Sequence, residues 1–146
     1  MSLINELKAK SANVEATKNE IIGEIRGAFD RCLTNRLEDQ LRKCIDNDAI
    51  NNRQIYLGVN FWEFSSGCSP TYFRCSGFTW YNPQYREGWE SREYRGIKLI
   101  EIQDEVCNYL EKRLEAAMQE LGFYIVEKEA KKSRLGHRDT SYYFGW

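Results

Sequence analysis

The sequence predicts an α+β fold in which a long helix packs on an antiparallel sheet of about four strands. Apolar residues recur at three- and four-residue steps over 97–121, whereas apolar and polar residues alternate over 53–64. A second strand-like pair flanks a polar turn near the C-terminus. At 146 residues the chain has the length of one domain, 1–146, with an N-terminal helical arm, 1–46, and an α+β body, 53–146.

The N-terminal arm is predicted to form two helices. Apolar residues recur seven positions apart from Leu7 to Ala28, and Thr34-Asn35 offers a break with a new N-cap. Polar residues such as Lys18 interrupt the seam, which indicates that the first turns project from the body. Residues 2–33 are expected either to pack on the chain's own sheet or to pair with a second copy, giving a homodimer or a higher homo-oligomer.

The body is predicted in the order strand, strand, helix, strand, strand. The strands are expected over 53–64, 71–81, 123–129 and 141–146. A long loop over 82–96, with a short strand near 92–95, leads into the central helix at about 97–121. Gly122 then suits a helix C-cap, because glycine adopts the left-handed conformation without a clash from Cβ.

Aromatic and arginine residues are concentrated in the middle of the chain. Of the 20 aromatic residues, 12 fall within 54–95, which exceeds what the covered face of one small sheet can bury. Rings beside guanidinium groups suit a nucleotide-like ligand, and the same residue types dominate protein interfaces. The expected contact residues are Trp62, Arg74, Trp80, Tyr85, Arg86, Trp89, Arg92 and Arg95. The alternative is that these rings only complete the core.

The polar turn before the last strand carries a second candidate site. Its possible phosphate-binding residues are Lys131, Lys132, Arg134 and Arg138. His137 is the only histidine of the chain, and imidazole is the side chain that most easily serves as a general acid or base near neutral pH. His137, Arg138 and Asp139 could therefore serve an enzyme acting on a phosphorylated or nucleotide substrate. The alternative is an ordinary solvated turn.

No cofactor or metal is expected from the sequence. The phosphate-loop, dinucleotide, zinc-protease and serine-hydrolase motifs are absent, and a single histidine is unusual for catalytic zinc. Cys68 and Cys75 could form a redox pair or half a metal site, but the six residues between them fit no CxxC arrangement. We expect two free thiols there.

Charge and hydropathy indicate the compartment and the class of partner. A further alternative is a single-stranded nucleic-acid binder. A net charge of −1 disfavours it, because contacts with phosphates dominate the affinity of proteins for nucleic acids. No window approaches the roughly 18 apolar residues that span a bilayer, and no secretory h-region is evident. Five cysteines, an odd number, favour reduced thiols and a cytoplasmic location without membrane contact. The sequence thus predicts a small cytoplasmic, non-catalytic binding protein with an inhibitor, adaptor or sequestering role.

Overall fold

The computed structural model describes residues 2–46, 53–60, 93–134 and 136–146. Its elements follow the chain as α1 (Leu3–Asp46), β1 (Gln54–Asn60), β2 (Glu93–Tyr94), β3 (Ile97–Lys98), α2 (Leu99–Glu120), β4 (Tyr124–Lys132) and β5 (Arg138–Gly145). The fold is α+β, with a long N-terminal helix and a second helix packed on an antiparallel sheet. The strand predicted over 71–81 lies outside the described residues.

The N-terminal arm is one helix, so the prediction of two helices is wrong. α1 continues for 44 residues through Thr34-Asn35. Thr34 Oγ1 donates a hydrogen bond to the backbone carbonyl of Asp30 at 2.9 Å, which is the bond that threonines make inside helices. Leu33, Leu37 and Leu41 are buried at four-residue steps across this point. This unbroken apolar face stabilises a single helix.

α2 is the central helix that the apolar spacing predicts. It begins at Leu99 because the two preceding residues, Ile97 and Lys98, pair with β2 as a strand. Its buried apolar residues recur at helical spacing and are Leu99, Ile102, Val106, Cys107, Leu110, Leu114 and Met118. The predicted stripe is therefore the side of the helix that enters the core.

The end of α2 confirms the predicted glycine cap. Gly122 has a φ of 95°, in the left-handed region. Its N–H donates to the carbonyl of Gln119 at 3.0 Å, and the N–H of Phe123 donates to the carbonyl of Met118 at 3.0 Å. This pair of bonds is a Schellman motif, which ends the helix and turns the chain directly into β4.

The described strands are arranged differently from the four-stranded sheet in ββ-α-ββ order that the sequence predicts. β1, β5 and β4 form a three-stranded antiparallel sheet in that spatial order, and β2 and β3 form a separate two-stranded hairpin. The C-terminal hairpin is confirmed, with longer strands and a shorter turn than expected. β5 lies centrally because it pairs with β1 on one side and with β4 on the other.

The two faces of the sheet have different environments. Ile55, Leu57, Tyr142 and Phe144 are buried against the helices and belong to the same core as α1 and α2. On the opposite face, Tyr56 Oη and Ser141 Oγ lie 2.8 Å apart, and the rings of Tyr56 and Tyr143 meet edge to face with centroids 5.2 Å apart. Alternation along each strand therefore separates the core face from an outer face.

α1 and α2 run side by side in the same direction. Ion pairs join them in sequence order, from Lys18–Glu101 (3.4 Å) to Arg26–Glu105 (3.7 Å) and Asp30–Arg113 (3.1 Å). Residues 2–16 precede the first of these contacts and are exposed throughout. The start of α1 therefore extends beyond the N-terminal end of α2, as the interrupted seam predicts.

Candidate functional site

Most of the predicted ligand-binding residues lie outside the part of the chain that the structure describes. These are Trp62, Arg74, Trp80, Tyr85, Arg86, Trp89 and Arg92. Cys68 and Cys75 lie outside it as well. Of the predicted contact set, the surroundings of Arg95 can be described.

Arg95 fixes a tight hairpin to α1. Arg95 and Gly96 have positive φ values of 52° and 77°, as the central residues of a type I′ turn between β2 and β3. The guanidinium lies 2.5 Å from a carboxylate oxygen of Glu20 and 3.5 Å from one of Glu24. The hydrogen bond with Glu20 raises the pKa of Arg95. Two carboxylates thus already match this charge, and a phosphate would compete with them.

Three of the four predicted phosphate-binding cations of the polar turn are engaged with carboxylates. Lys132 Nζ lies 3.1 Å from Asp104, and Arg138 Nη1 lies 3.3 Å from the same carboxylate. The hydrogen bond from Lys132 is the main cause that lowers the pKa of Asp104. Lys131 Nζ lies 3.3 Å from Glu129. These three cations therefore do not converge on one open anion site.

A buried ion pair joins α2 to the C-terminal hairpin. The side chain of Glu111 is 2% exposed and pairs with Arg138, which also donates to Asn108 Oδ1 at 3.0 Å. Lys128 Nζ lies 3.7 Å from Glu111 and 3.4 Å from Glu115. Sequence reasoning missed this cluster. The available signal was the spacing of Glu111, four residues after Cys107 and three before Leu114, which places it on the apolar side of α2.

The catalytic alternative requires three consecutive residues to act together. His137 is half-buried, and its backbone N–H donates to Ser133 Oγ at 3.2 Å. Arg138 points toward α2, where it meets Glu111. Asp139 is the next residue of β5 and therefore faces the opposite side of the sheet. Arg138 and Asp139 are thus directed away from each other, and Arg134 is exposed in the turn before them.

The described thiols are core residues. Cys32 and Cys107 are buried and form no disulfide bond. Burial raises the pKa of Cys107 to about 12, so the thiol stays neutral and unreactive at physiological pH. Among the described residues, no three His, Cys, Asp or Glu side chains form a group that could hold a metal ion. In the same part of the chain, no helix has the length and apolar character needed to cross a membrane.

Exposed large apolar side chains gather at two places in the described structure. Residues 2–16, here called the projecting segment, carry Leu3, Ile4, Leu7 and Val14, which are 77%, 64%, 64% and 44% exposed. The distal patch lies on the outer face of the C-terminal hairpin and consists of Tyr124, Val126 and Tyr143, which are 39–56% exposed. Clustered apolar surface of this kind marks interaction sites more often than single exposed residues do.

The projecting segment carries the apolar stripe of the core out into solvent. Ile21, Ile25 and Phe29 are fully buried on the side of α1 that faces α2. Leu7 and Val14 precede Ile21 by two and one heptads and therefore continue the same side of the helix. The stripe keeps its apolar character at positions where none of the described residues covers it.

The distal patch is built around a glycine at the end of β5. A Cβ added at Gly145 would lie 2.6 Å from Cζ of Tyr124 and 3.0 Å from Cγ2 of Val126, so both side chains lie close over the glycine backbone. A register shift between Ile125 and Glu127 makes Val126 a bulged residue of β4. Sequence reasoning missed the patch, although strand alternation already indicated residues turned away from the helices.

Comparison of the chain with protein-family models, with curated proteins and with solved structures gave no match. The two apolar surfaces are thus the candidate functional sites that the chain's own geometry provides. One is a helix segment that leaves the body, and the other lies on the outer face of the C-terminal hairpin.

Proposed function

We propose that this chain is a non-catalytic binding protein that works as a homo-oligomer, with the projecting segment making the contact between subunits. The observation that carries the proposal is the exposure of Leu3, Ile4 and Leu7, at 64–77%. The rest of the predicted subunit-contact region, 17–33, packs largely on the chain's own body. Residues 54–95 would then recognise a protein target or a nucleotide-like ligand, as their composition predicts.

The stability of the projecting segment as a helix depends on what it packs against. A segment of about 15 residues without tertiary contacts gains little stability in water, because helical stability in proteins comes mainly from packing an apolar face. The projecting segment has such a face but no packing partner within the described chain. Burying it against another subunit would remove apolar side chains from water and order the helix at the same time.

The ion pairs support binding over phosphate chemistry. Arg138 and Lys132 share the carboxylate of Asp104, and Arg138 also pairs with Glu111. A catalytic site for a phosphorylated substrate needs cations that are free to meet the developing charge. Cations already held by carboxylates suit a structural role.

The test is the molar mass of the full chain over a range of concentrations, by sedimentation equilibrium. Wild type should rise above 17.3 kDa as concentration increases, whereas Leu7→Lys should remain at 17.3 kDa. Ala9→Lys is the matched control, because it adds the same charge on the opposite side of the same helix. It should associate like wild type.

Two results would contradict the proposal. Wild type could stay at 17.3 kDa at every concentration, or Leu7→Lys and Ala9→Lys could have equal effects. Circular dichroism of each variant verifies that the helix content of the body is retained.

A further inference from the structure

We propose that the tip of the C-terminal hairpin is a polar lid on α2, which opens while the core stays folded and uncovers the thiol of Cys107. The hairpin tip is defined as residues 128–132 of β4 and 138–140 of β5. The inference does not depend on association between subunits. It rests on the side chains that the tip turns toward α2, on the polar contacts that hold it there and on the position of Cys107 beneath it.

The C-terminal hairpin has an apolar base and a polar tip. At the base, Tyr142 and Phe144 of β5 are fully buried in the core, and Ile125 of β4 is half-buried beside them. Strand alternation turns every second residue of each strand toward the helices. In the tip these residues are Lys128, Ala130, Lys132, Arg138 and Thr140. None of them is a large apolar side chain, and segments with little buried apolar surface open at a smaller cost than the core does.

Polar contacts with α2 hold the tip in place. The side-chain amide of Gln103 donates to the carbonyl of Gly136 and accepts from the N–H of Arg138, each at 2.8 Å. The ion pairs of Lys132 and Arg138 with carboxylates of α2 add to this contact. When the tip lifts, both charges of the Glu111–Arg138 pair return to water, and their hydration offsets the attraction that is lost.

The hairpin tip is also loosely tied to the rest of the sheet. Among the described strands β4 lies at the edge, so its outer side bonds to no further strand of that set. β1 reaches the tip with its last two residues only, Val59 and Asn60, which pair with Thr140 and Asp139. Opening therefore separates these two residue pairs and can leave the pairing between β4 and β5 in place.

Cys107 lies under the hairpin tip. It is four residues after Gln103 and four before Glu111, so the three side chains share one face of α2. Arg138 of the tip bonds to both of these neighbours, and Cys107 itself is 2% exposed. Burial raises the pKa of Cys107 to about 12, while the nearby charges of Arg138 and Lys132 act in the opposite direction. Opening returns the thiol to water, where its pKa falls back toward that of an exposed cysteine.

The test is the rate at which N-ethylmaleimide alkylates Cys107 in the dilute full chain at one fixed pH, resolved from the other cysteines by mass spectrometry of the peptides. When the open state recloses faster than it reacts, this rate reports the population of the open state. In wild type we expect Cys107 to react faster than the free energy of global unfolding, measured in urea, allows. Low concentrations of urea should change the rate little, because opening the tip exposes little surface.

Two variants of the contacts should raise the population of the open state. Gln103→Leu removes both bonds between the amide and the hairpin and should speed the alkylation of Cys107 about tenfold. Lys132→Met removes an exposed ion pair and should speed it about two- to threefold. Lys131→Met is the matched control, because Lys131 is the preceding residue, faces away from α2 and pairs with a carboxylate of its own strand. It should react like wild type.

A core variant separates local opening from global unfolding. Ile25 is fully buried in α1, so Ile25→Val should populate the unfolded state several-fold more than wild type. It weakens the closed and the open state equally, and we expect the alkylation rate of Cys107 to stay at the wild-type value.

The outcomes decide whether the lid exists. If urea and Ile25→Val speed the alkylation as much as they populate the unfolded state, global unfolding alone uncovers Cys107 and the inference is overturned. It is also overturned if neither Gln103→Leu nor Lys132→Met reacts faster than Lys131→Met. Circular dichroism verifies that each variant is folded. If Gln103→Leu is not, the comparison of Lys132→Met with Lys131→Met decides.

Discussion

Phe29→Ala is expected to lower the free energy of unfolding by about 3–5 kcal/mol, because it removes a large buried ring and leaves a cavity. Phe29 is fully buried in the core that α1 shares with α2 and the sheet. Urea unfolding followed by circular dichroism measures the effect. The measurement is best made in the Leu7→Lys background, so that subunit association does not add to the apparent stability.

Val14→Ala is the matched control for Phe29→Ala. Val14 lies on the same helix and the same apolar stripe, but its side chain is 44% exposed. We expect its replacement to change the stability of the monomer by no more than about 0.5 kcal/mol. Similar losses for the two variants would mean that the projecting segment packs on its own body, which would contradict the described separation of α1 into a buried and an exposed part.

Arg138→Ala is expected to lower the free energy of unfolding by about 3 kcal/mol, because it leaves the carboxylate of Glu111 buried without its main partner. Breaking a buried ion pair usually costs about 3–5 kcal/mol. The expected loss is at the lower end of that range because Lys128 Nζ remains 3.7 Å from Glu111. Thermal and urea unfolding at neutral pH measure it. The loss arises from the carboxylate that remains, so replacing both partners by apolar residues should be far less harmful.

The control for Arg138→Ala is Arg134→Ala, the same change at an exposed position four residues earlier. It should shift stability by no more than about 0.5 kcal/mol. The double variant Glu111→Leu with Arg138→Met should recover most of the stability that Arg138→Ala loses. An equally unstable double variant would show that side-chain packing, and not the charge of Glu111, explains the loss.

The elements with strong local signals could be predicted from the sequence. α2 has apolar residues at helical spacing along its whole length, and Gly122 ends it by the mechanism that the sequence indicates. β4 and β5 flank one polar turn, so their pairing follows from neighbouring residues alone. In each case the determining residues are close in sequence.

The single helix α1 could not be predicted with the same rules. Thr34-Asn35 resembles an N-cap, because both side chains can hydrogen-bond a free backbone N–H. The same side chains are tolerated inside a helix when buried apolar residues before and after them hold the backbone in the helical conformation. Leu33 and Leu37 supply that burial, and the core that they join contains residues that lie far away in the sequence.

The roles of the basic residues depend on distant carboxylates. Arg95 meets Glu20, which lies 75 positions earlier, and Arg138 meets Glu111, which lies 27 positions earlier. Composition marked these arginines as candidate ligand contacts, but only the packing of α1 and α2 shows that their charges are already matched. The projecting segment was accessible to sequence reasoning because its exposure follows from an interrupted local pattern.

Docking of the projecting segment on another subunit can be measured by amide hydrogen exchange of the wild-type chain at low and high protein concentration. We expect the backbone amides of residues 3–16 to exchange rapidly when dilute and to become protected as concentration rises, while those in the middle of α2 do not change. Exchange in residues 3–16 that is independent of concentration would contradict it.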